Sequence, residues 1–214
     1  VEQQQQALDE GQITEEEWFD IFNETFTRHY LAADNPRAQS GHGGDAVRYW
    51  NKRRTILEAI YKDGTFLDVG CANGHLIECL DQWLVNSGLA VHFEGVDISE
   101  GLLALAKQRL PHWEDRFHLG NALYWTPPRP YDFVYLSGLE YVPLGKQPAF
   151  IEHIMSTMVA PNGRFILNGG TEEREYRVAE ARLRAWGYIP TGYCEKSHQD
   201  HAGLVRRLFW FDMG

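Results

Sequence analysis

A buried strand that ends in a glycine turn and continues as a helix constrains the fold of this chain more than any other feature. Residues 65–77 read TFLDVGCANGHLI. The first half has the apolar pattern of a buried strand around a single acid, Asp68, and the second half carries Gly70 and Gly74 where a helical pattern begins. The stretch therefore predicts a strand, a tight turn and a helix, with glycines that allow a ligand to approach the backbone of the turn.

Alternating strand and helix patterns continue from this turn through most of the remaining chain. Apolar strand patterns cover residues 65–70, 90–97, 116–119, 131–137 and 163–168. Helical patterns cover residues 74–86, 100–110, 147–158 and 171–186. Apolar strands that are joined by crossover helices are typical of a parallel sheet with helices on both faces.

Two further strand patterns, over residues 188–193 and 204–212, have no helical pattern between them. Strands that are joined without a crossover helix pair antiparallel. The sequence thus predicts an α/β fold, a Rossmann-like, doubly wound sheet of seven strands that is mostly parallel and has an antiparallel last strand. The sixth strand should run parallel to the first five, so the loop after it should emerge at the same edge of the sheet as the glycine turn.

An amphipathic helix is predicted ahead of the sheet, over residues 14–31. It begins with a capping box, formed by Thr14 and Glu17, and continues with apolar residues at helical spacing. The glutamine run at residues 3–6 is interpreted as a flexible lead-in to this helix.

A glycine-rich loop, SGHGGDAV, joins this helix to a second predicted helix over residues 48–61. Glycines permit a hinge, and His42 lies among them. We therefore divide the chain into an N-terminal helical extension, residues 1–47, which is a candidate lid over the ligand, and an α/β domain, residues 48–214.

Composition and charge exclude several classes of protein. The 214 residues are 43% hydrophobic, which suits one globular domain. Because the chain has neither a long apolar run nor a signal-peptide pattern, we expect a cytoplasmic protein without a membrane partner. The formal net charge of −10 disfavours a nucleic-acid partner, and the basic cluster NKRR at residues 51–54 is interpreted as a solvated helix face. The three cysteines lack metal-type spacing, so free thiols and no metal site are expected.

The spacing of the glycines discriminates between two ligands for the turn, a dinucleotide and S-adenosylmethionine. A dinucleotide fingerprint needs Gly-x-Gly-x-x-Gly, but Ala72 and His75 occupy its second and third glycine positions. The Gly-Lys-Ser or Gly-Lys-Thr of a phosphate-binding loop is absent as well. The glycine frame therefore disfavours a dinucleotide.

Polar groups follow the next three predicted strands at positions where an adenosine could be held. Asp97, followed by Ile98, ends the second strand, and a carboxylate there can accept hydrogen bonds from both ribose hydroxyls. Asn121 and the N–H group of Ala122 follow the third strand, where an adenine edge could be recognised. Ser137 ends the fourth strand. In an open α/β sheet all of these groups lie at the edge where ligands bind.

This series of motifs resembles the class I S-adenosylmethionine-dependent methyltransferases over about residues 48–214. The resemblance implies that S-adenosylmethionine is the cofactor, that Asp97 holds its ribose, and that Asn121 with Ala122 meets its adenine. It also implies that the loop DVGCANG holds the methionine end, through Asp68, Gly70, Cys71, Ala72 and Gly74. An antiparallel seventh strand is a further feature of that family. The sequence departs from the family pattern at two positions, where Ala72 replaces a glycine and Asn121 an acid.

The methyl acceptor is not specified by a motif. The Asn/Asp-Pro-Pro-Tyr sequence that serves methylation of planar nitrogens is absent from the end of the fourth strand, where SGLEY stands. Together with the acidic charge, this disfavours nucleic acid and favours a small molecule that is methylated on oxygen or nitrogen. A nicotinamide-dependent oxidoreductase and a catalytically silent cofactor-binding or scaffold protein are the alternatives. The sequence does not define the oligomeric state.

Candidate catalytic residues fall in two loops at the same edge of the predicted sheet. Glu140 and Tyr141 follow the fourth strand and could face the acceptor. His198 and His201 follow the sixth strand, and either imidazole could take a proton from a hydroxyl acceptor near neutral pH, with Asp200 orienting its neighbour. A polar hairpin tip in solvent is the alternative interpretation of this second loop.

Overall fold

A seven-stranded sheet forms the centre of the molecule in the computed structural model, which describes residues 1–168, 173–198 and 203–214. The strands are β1 (Gly64–Val69), β2 (Val91–Asp97), β3 (Phe117–Leu119), β4 (Tyr131–Leu136), β5 (Val159–Asn168), β6 (Gly192–Ser197) and β7 (Val205–Asp212). Their order across the sheet is β3-β2-β1-β4-β5-β7-β6.

The direction of the strands confirms the predicted fold class. The neighbours among β1 to β5 pair in parallel. Strand β7 is antiparallel to both β5 and β6, so β6 points the same way as the first five strands. The chain winds outward in one direction through β2 and β3 and in the other through β4 and β5, and the reversal of order at β1 and β4 opens a crevice at the carboxyl ends of those strands.

Seven α-helices accompany the sheet in the described part of the chain. They are α1 (Glu2–Asp9), α2 (Glu15–Leu31), α3 (Ala46–Arg53), α4 (His75–Leu84), α5 (Glu100–Arg109), α6 (Gln147–His153) and α7 (Glu173–Ala185). A 3₁₀ segment, Arg54–Ala59, continues α3, and a turn of π-helix, Ile154–Met158, continues α6. None of the helices described is long and apolar enough to cross a membrane.

Two local predictions were wrong. The glutamine run at residues 3–6 is helical rather than a flexible lead-in, and the side chains of Gln5 and Gln6 donate hydrogen bonds to Asp9 and Glu10 one turn later. Strand β6 covers Gly192–Ser197 instead of residues 188–193.

The reason for the shift of β6 is the way in which α7 ends. Gly187 has a φ of 88°, and the N–H groups of Gly187 and Tyr188 donate to the carbonyls of Arg184 and Leu183. This is a Schellman motif, which terminates a helix and uses the backbone of the next residues. Tyr188 therefore belongs to the helix cap, and the strand begins four residues later.

Alternating strand residues divide the core into two layers, one on each face of the sheet. On one face Phe66, Phe93 and Phe133 pack with residues of α4 and α5. On the other face Leu67 and Val134 pack with residues of α6 and α7. Because each of these side chains is fully buried, the sheet is covered on both faces, as the continuous apolar strand patterns predict.

The extension packs on the α/β domain through α2. The predicted capping box is confirmed, since Thr14 Oγ1 accepts from the N–H of Glu17 at 3.2 Å and Glu17 Oε2 accepts from the N–H of Thr14 at 2.7 Å. Trp18 is completely buried and its indole N–H donates to the carbonyl of Tyr141 at 3.1 Å. A hydrogen bond of 2.6 Å between Thr27 and Ser99 joins α2 to the start of α5. Helix α2 is thus fixed over the carboxyl edge of the sheet.

The Glu94 carboxylate joins three strands and generates a prediction on stability. It accepts hydrogen bonds from His118 at 2.8 Å, from Tyr131 at 2.7 Å, and from Arg129. Burial alone would raise the pKa of Glu94, but the hydrogen bonds from His118 and Tyr131 and the charge of Arg129 lower it to about 2, from an ordinary value of 4.5.

We expect Glu94→Gln to lower the free energy of unfolding by about 2 kcal/mol at pH 7, because hydrogen bonds to a charged acceptor are lost. A lowered pKa in the folded state stabilises the protein above the unfolded-state value, so the difference should shrink as the pH falls from about 4.5 toward about 2. Urea unfolding at several pH values measures it, with the exposed Glu114→Gln as control. If the difference in unfolding free energy between the wild type and Glu94→Gln does not depend on pH, the pKa of Glu94 is not lowered in the folded protein.

Candidate active site

A cavity of about 240 Å³ lies at the carboxyl ends of β1, β2 and β4, beneath α2. The turn after β1, the residues that follow β2, β3 and β4, and the loop that contains His42 supply its walls. These segments are distant in sequence, and the parallel pairing of the strands brings them together. The cavity has a polar half at the strand ends and an aromatic half under α2.

The glycine turn presents open backbone to the cavity. Gly70 and Ala72 both line it and have φ angles of 79° and 48°, in the left-handed region. A Cβ added at Gly70 would meet no atom within 4 Å, so the space beside it is open to a ligand. Gly74 has a different role, because it caps α4, does not line the cavity, and would carry its Cβ to 2.8 Å from Phe117. Packing, not ligand approach, accounts for a glycine there.

Asp97 connects the end of β2 to this turn. Its two carboxylate oxygens accept from the N–H of Ala72 and the N–H of Ser99, both at 2.8 Å. Burial raises the pKa of Asp97 above its ordinary value, although these N–H groups and that of Ile98 oppose the shift. No cation among the described residues lies within ion-pair distance of this carboxylate. Both Asp97 and Ile98 line the cavity.

The loop after β3 forms the adjoining wall. Asn121 and Ala122, the segment that the sequence analysis assigns to adenine, both line the cavity. The side-chain oxygen of Asn121 accepts from the N–H of Leu123 at 3.1 Å, so it closes a turn of its own loop. The side chain thereby holds the backbone of Ala122 in place.

Arg53 is the main residue of the site that the sequence analysis did not identify. It belongs to the NKRR cluster, whose interpretation as a solvated face was wrong for this residue, since Arg53 is only 4% exposed. Its guanidinium donates to the hydroxyl of Tyr135 and to Nε2 of His42, and lies 3.4 Å from the hydroxyl of Ser137. None of these partners is an anion, and no described carboxylate lies within ion-pair distance.

A signal for Arg53 was present in the helical spacing. Tyr49, Arg53, Ile56 and Ile60 are buried and occur at intervals of four, three and four residues. Arg53 therefore stands on the apolar stripe of the segment, where an arginine is unusual and points to a role.

Asp68 lies near this cation at the end of β1. It is 3% exposed, and burial raises its pKa to about 7, against the opposing charge of Arg53. Cys71 and Ser137 line the same part of the cavity. The polar half thus contains one buried and one half-buried carboxyl group, Asp68 and Asp97, and the buried guanidinium of Arg53, and no ion pair joins them.

His42 closes the polar half from the side of the extension. Burial, followed by the charge of Arg53, lowers the pKa of His42 to about 2. Since Nε2 accepts from the Arg53 guanidinium, the lone pair of the imidazole is already engaged. This histidine is therefore a neutral structural acceptor and not a base.

Aromatic side chains from α2 and from the loop after β4 form the other half of the cavity. Phe22, Phe26 and Tyr30 follow one another at intervals of four residues, with ring centroids 5.7 and 5.8 Å apart. Tyr141 meets Phe26 edge-on at 5.1 Å, and both Tyr141 and Tyr30 line this half of the cavity. Of these residues the sequence analysis nominated Tyr141 alone, although the helical spacing of the others was visible.

Two of the remaining catalytic candidates, Glu140 and His198, are not part of the cavity walls. Glu140 is exposed beside Tyr141 and is not part of the lining. His198 directly follows β6 at the carboxyl edge, as predicted, and its N–H donates to the carbonyl of Leu204 at 2.9 Å, but it does not line the cavity. His201 and Asp200 fall outside the described residues. In the part of the chain that is described, no group of three or more His, Cys, Asp or Glu is arranged to hold a metal ion.

Comparisons with known proteins place this geometry in a family. Residues 66–163 match the model of the methyltransferase domain family. No curated protein matches the sequence.

Solved structures of methyltransferases share the fold. One is 1,6-didemethyltoxoflavin-N1-methyltransferase of Burkholderia thailandensis, with bound 1,6-didemethyltoxoflavin and S-adenosylhomocysteine. Its TM-score is 0.64 at 14% identity, over 94% of this chain and 91% of that one. An S-adenosylmethionine-dependent methyltransferase of Geobacter sulfurreducens, in complex with S-adenosylhomocysteine, gives a TM-score of 0.56 at 12% identity, over 87% and 96%.

A third similar structure is phosphoethanolamine N-methyltransferase 1 of Haemonchus contortus, with phosphoethanolamine and S-adenosylhomocysteine. The TM-score is 0.60 at 16% identity, over 74% of this chain. This chain spans only 34% of that protein's length.

The domain match over residues 66–163 and the seven-stranded fold, which solved S-adenosylmethionine-dependent methyltransferases share, both agree with the predicted class. The similar structures contain S-adenosylhomocysteine, the product of S-adenosylmethionine, which agrees with the predicted cofactor. The matched segment begins in β1 and ends in β5, so both α2 and the loop with His42 lie outside it.

The environment of His42 generates the prediction of this section. We expect its imidazole resonances to stay constant between about pH 8 and pH 5, because a histidine with a pKa of about 2 remains neutral over that range. Heteronuclear NMR of the folded protein measures the titration. The same residue in urea should titrate near its ordinary value of about 6.5. An inflection near pH 6 in the folded protein would show that the imidazole is exposed.

Proposed function

We propose that the protein transfers a methyl group from S-adenosylmethionine to an oxygen or nitrogen atom of a small-molecule acceptor inside this cavity. The observation that carries the proposal is the continuity of the cavity, in which the polar half at the strand ends opens directly into the aromatic half under α2. The polar half suits the cofactor, and the aromatic half then receives the acceptor. Both ligands would be enclosed together, as a displacement reaction requires.

The residues of the polar half fit the adenosine of the cofactor. Asp97 accepts hydrogen bonds from two backbone N–H groups, and a carboxylate has about four acceptor sites, so it can still receive the ribose hydroxyls. Ile98 and the Asn121–Ala122 segment form the adjoining wall and are assigned to adenine. The open space beside Gly70 leaves room for the remainder of the molecule.

The buried charges fit the methionine end. A guanidinium without a counter-ion is costly to bury, and the carboxylate of the cofactor would supply the missing anion at Arg53. Asp68 would face the ammonium group, whose charge favours the ionised carboxylate and lowers the pKa of Asp68 from its raised value. Cys71, Ala72 and Ser137 complete the surroundings. Gly74 would act indirectly, by capping α4.

The sulfonium of the bound cofactor supplies the electrophilic methyl group. The protein aligns the acceptor atom with it and excludes water, and helix α2 and the His42 loop provide the cover for this. An oxygen acceptor also has to lose a proton, for which His198 or His201 is assigned as the base, while Tyr141 positions the acceptor and Glu140 lies next to it. A neutral nitrogen acceptor needs no base.

Similar structures support a small acceptor. Two of them contain 1,6-didemethyltoxoflavin and phosphoethanolamine, both small molecules, together with S-adenosylhomocysteine. The net charge of −10 and the absence of an Asn/Asp-Pro-Pro-Tyr motif argue against nucleic acid as the acceptor.

The N-terminal extension, residues 1–47, would be the lid of the site, and residues 48–214 the catalytic domain. Aromatic residues of α2 line the cavity, and the loop behind them contains Gly41 and Gly44, with φ angles of 80° and 87° that suit hinge positions. Opening of this segment would admit both ligands.

We expect Asp97→Ala to weaken binding of S-adenosylhomocysteine by about 10- to 100-fold, because hydrogen bonds to a charged group contribute about 1.5–3 kcal/mol. Calorimetry of the wild type should detect S-adenosylhomocysteine and no binding of NAD. Asp132→Ala is the matched control. The Asp132 carboxylate lies at the amino end of β4, does not line the cavity, and accepts hydrogen bonds from Thr65. An unchanged dissociation constant in folded Asp97→Ala protein would remove this residue from the site.

We also expect the amides of α2 and the His42 loop to exchange more slowly with deuterium when S-adenosylhomocysteine is bound. The cause is that ligand contacts hold the extension closed. Hydrogen exchange followed by mass spectrometry measures the protection, and β7, which does not line the cavity, is the internal control. Equal exchange with and without ligand would mean that α2 is ordinary packing.

A further inference from the structure

We propose that the acceptor of this methyltransferase is a flat, uncharged aromatic ring with a hydrogen-bonding substituent, and that α2 selects it. This inference rests on the proposed function and narrows the acceptor from a small molecule to one chemical class. It also assigns specificity to a helix outside the matched methyltransferase domain.

The distribution of charge in the cavity indicates that the acceptor is neutral. Among the described residues that line it, the charged ones are Arg53, Asp68 and Asp97, and all three belong to the polar half. The described lining of the aromatic half contains neither a carboxylate to bind an ammonium group nor a cation to bind a carboxylate or phosphate. The carboxylate of Glu140, beside Tyr141, is exposed to solvent and lies outside this lining. Because a charge that is moved from water into such surroundings without a partner loses its hydration, a neutral acceptor is favoured.

The arrangement of the aromatic rings indicates that the acceptor is flat and conjugated. Phe22, Phe26 and Tyr30 lie along one stripe of α2, and Tyr141 approaches Phe26 from the opposite wall with its plane at 89° to it. Faces and edges of aromatic rings are thus both presented to the cavity. Aromatic pairs gain from offset stacking and edge-to-face contact beyond the burial of area, so a flat conjugated ring is favoured over a saturated one of the same size.

The polar atoms in this half indicate that the acceptor has a hydrogen-bonding substituent. The phenol groups of Tyr30 and Tyr141 both line this half of the cavity, and burial raises the pKa of both, so that they stay protonated. Each neutral hydroxyl has one proton to donate and lone pairs that accept, so either can bind a polar group of a ligand. Asn23 lines the same half, and its side-chain oxygen accepts from Thr27 at 3.0 Å, which leaves the amide N–H₂ to donate. These neutral groups suit a ring hydroxyl or ring nitrogen.

The experiment compares four probes on protein saturated with S-adenosylhomocysteine, each titrated by calorimetry. They are 1-naphthol, its saturated analogue decahydro-1-naphthol, the anion 1-naphthoate and the cation ethanolamine. We expect 1-naphthol to bind at least about 10-fold more tightly than each of the others. Equal affinities for the flat and saturated alcohols, or a preference for either charged probe, would overturn the proposal.

Two variants test whether α2 makes the selection. Phe26→Leu should weaken 1-naphthol binding about 10-fold, and Tyr30→Phe should weaken it severalfold by removing a single hydroxyl, with the affinity for S-adenosylhomocysteine unchanged in both. Tyr124→Leu is the matched control, because this exposed aromatic residue does not line the cavity. Unchanged 1-naphthol affinity in both α2 variants would refute the role of the helix.

The proposed function is tested separately by the titration of S-adenosylhomocysteine itself. If the cofactor product binds and 1-naphthol is not preferred, the methyltransferase assignment stands and the acceptor class is wrong. If S-adenosylhomocysteine does not bind to folded protein, the proposed function is wrong, and the inferred acceptor class, which depends on it, is wrong as well.

Discussion

Parallel pairing of β1 with both β2 and β4 is the constraint on which the rest of the structure depends. It brings the ends of three strands that are far apart in sequence to one edge, and it leaves a crevice there because the chain reverses its direction of winding between β1 and β4. Because of this pairing, the turn after β1 lies beside the end of β2, and the N–H of Ala72 in that turn donates a hydrogen bond to Asp97. Without that register the Asp97 carboxylate would keep only its local backbone partner, the N–H of Ser99.

The division of the cavity into two halves follows from where its walls originate. The polar half is built mainly from strand ends and from the turn after β1, which the family model covers, with Arg53 and His42 added from the segment before it. The aromatic half comes mainly from α2, which precedes that segment. The segment that matches the methyltransferase domain thus supplies most of the polar half, while a helix outside the match supplies most of the aromatic half. The hydrogen bond from the indole of Trp18 in α2 to the carbonyl of Tyr141, in the loop after β4, fixes the position of the aromatic half relative to the polar half.

The sequence predicted the sheet and most of the polar half because both follow from short-range patterns. Strand periodicity and the lack of a helix before β7 were sufficient for the topology, and Asp97 could be placed because it ends a recognisable strand. Arg53 was missed because basic residues in a run such as NKRR are typically exposed. Only its position on the apolar stripe of the segment indicated that it is buried. Gly74 was assigned to the ligand, whereas its tight approach to Phe117 is a tertiary contact that no local pattern encodes. The start of β6 was misplaced for a similar reason, since the Schellman cap of α7 used residues with strand character.

The position of β7 has a consequence for how the protein folds during synthesis. This strand follows β6 in sequence, yet it lies between β5 and β6 and pairs with both. Strand β6 therefore has no partner in the sheet until residues 205–212 have left the ribosome. Until then the nascent chain exposes one side of β5, including the backbone of Phe165 and Leu167, which later pairs with Phe211 and Phe209. Completion of the sheet therefore waits for β7, and the interval before it is when the chain is most exposed to strand-to-strand association with its neighbours on a polysome.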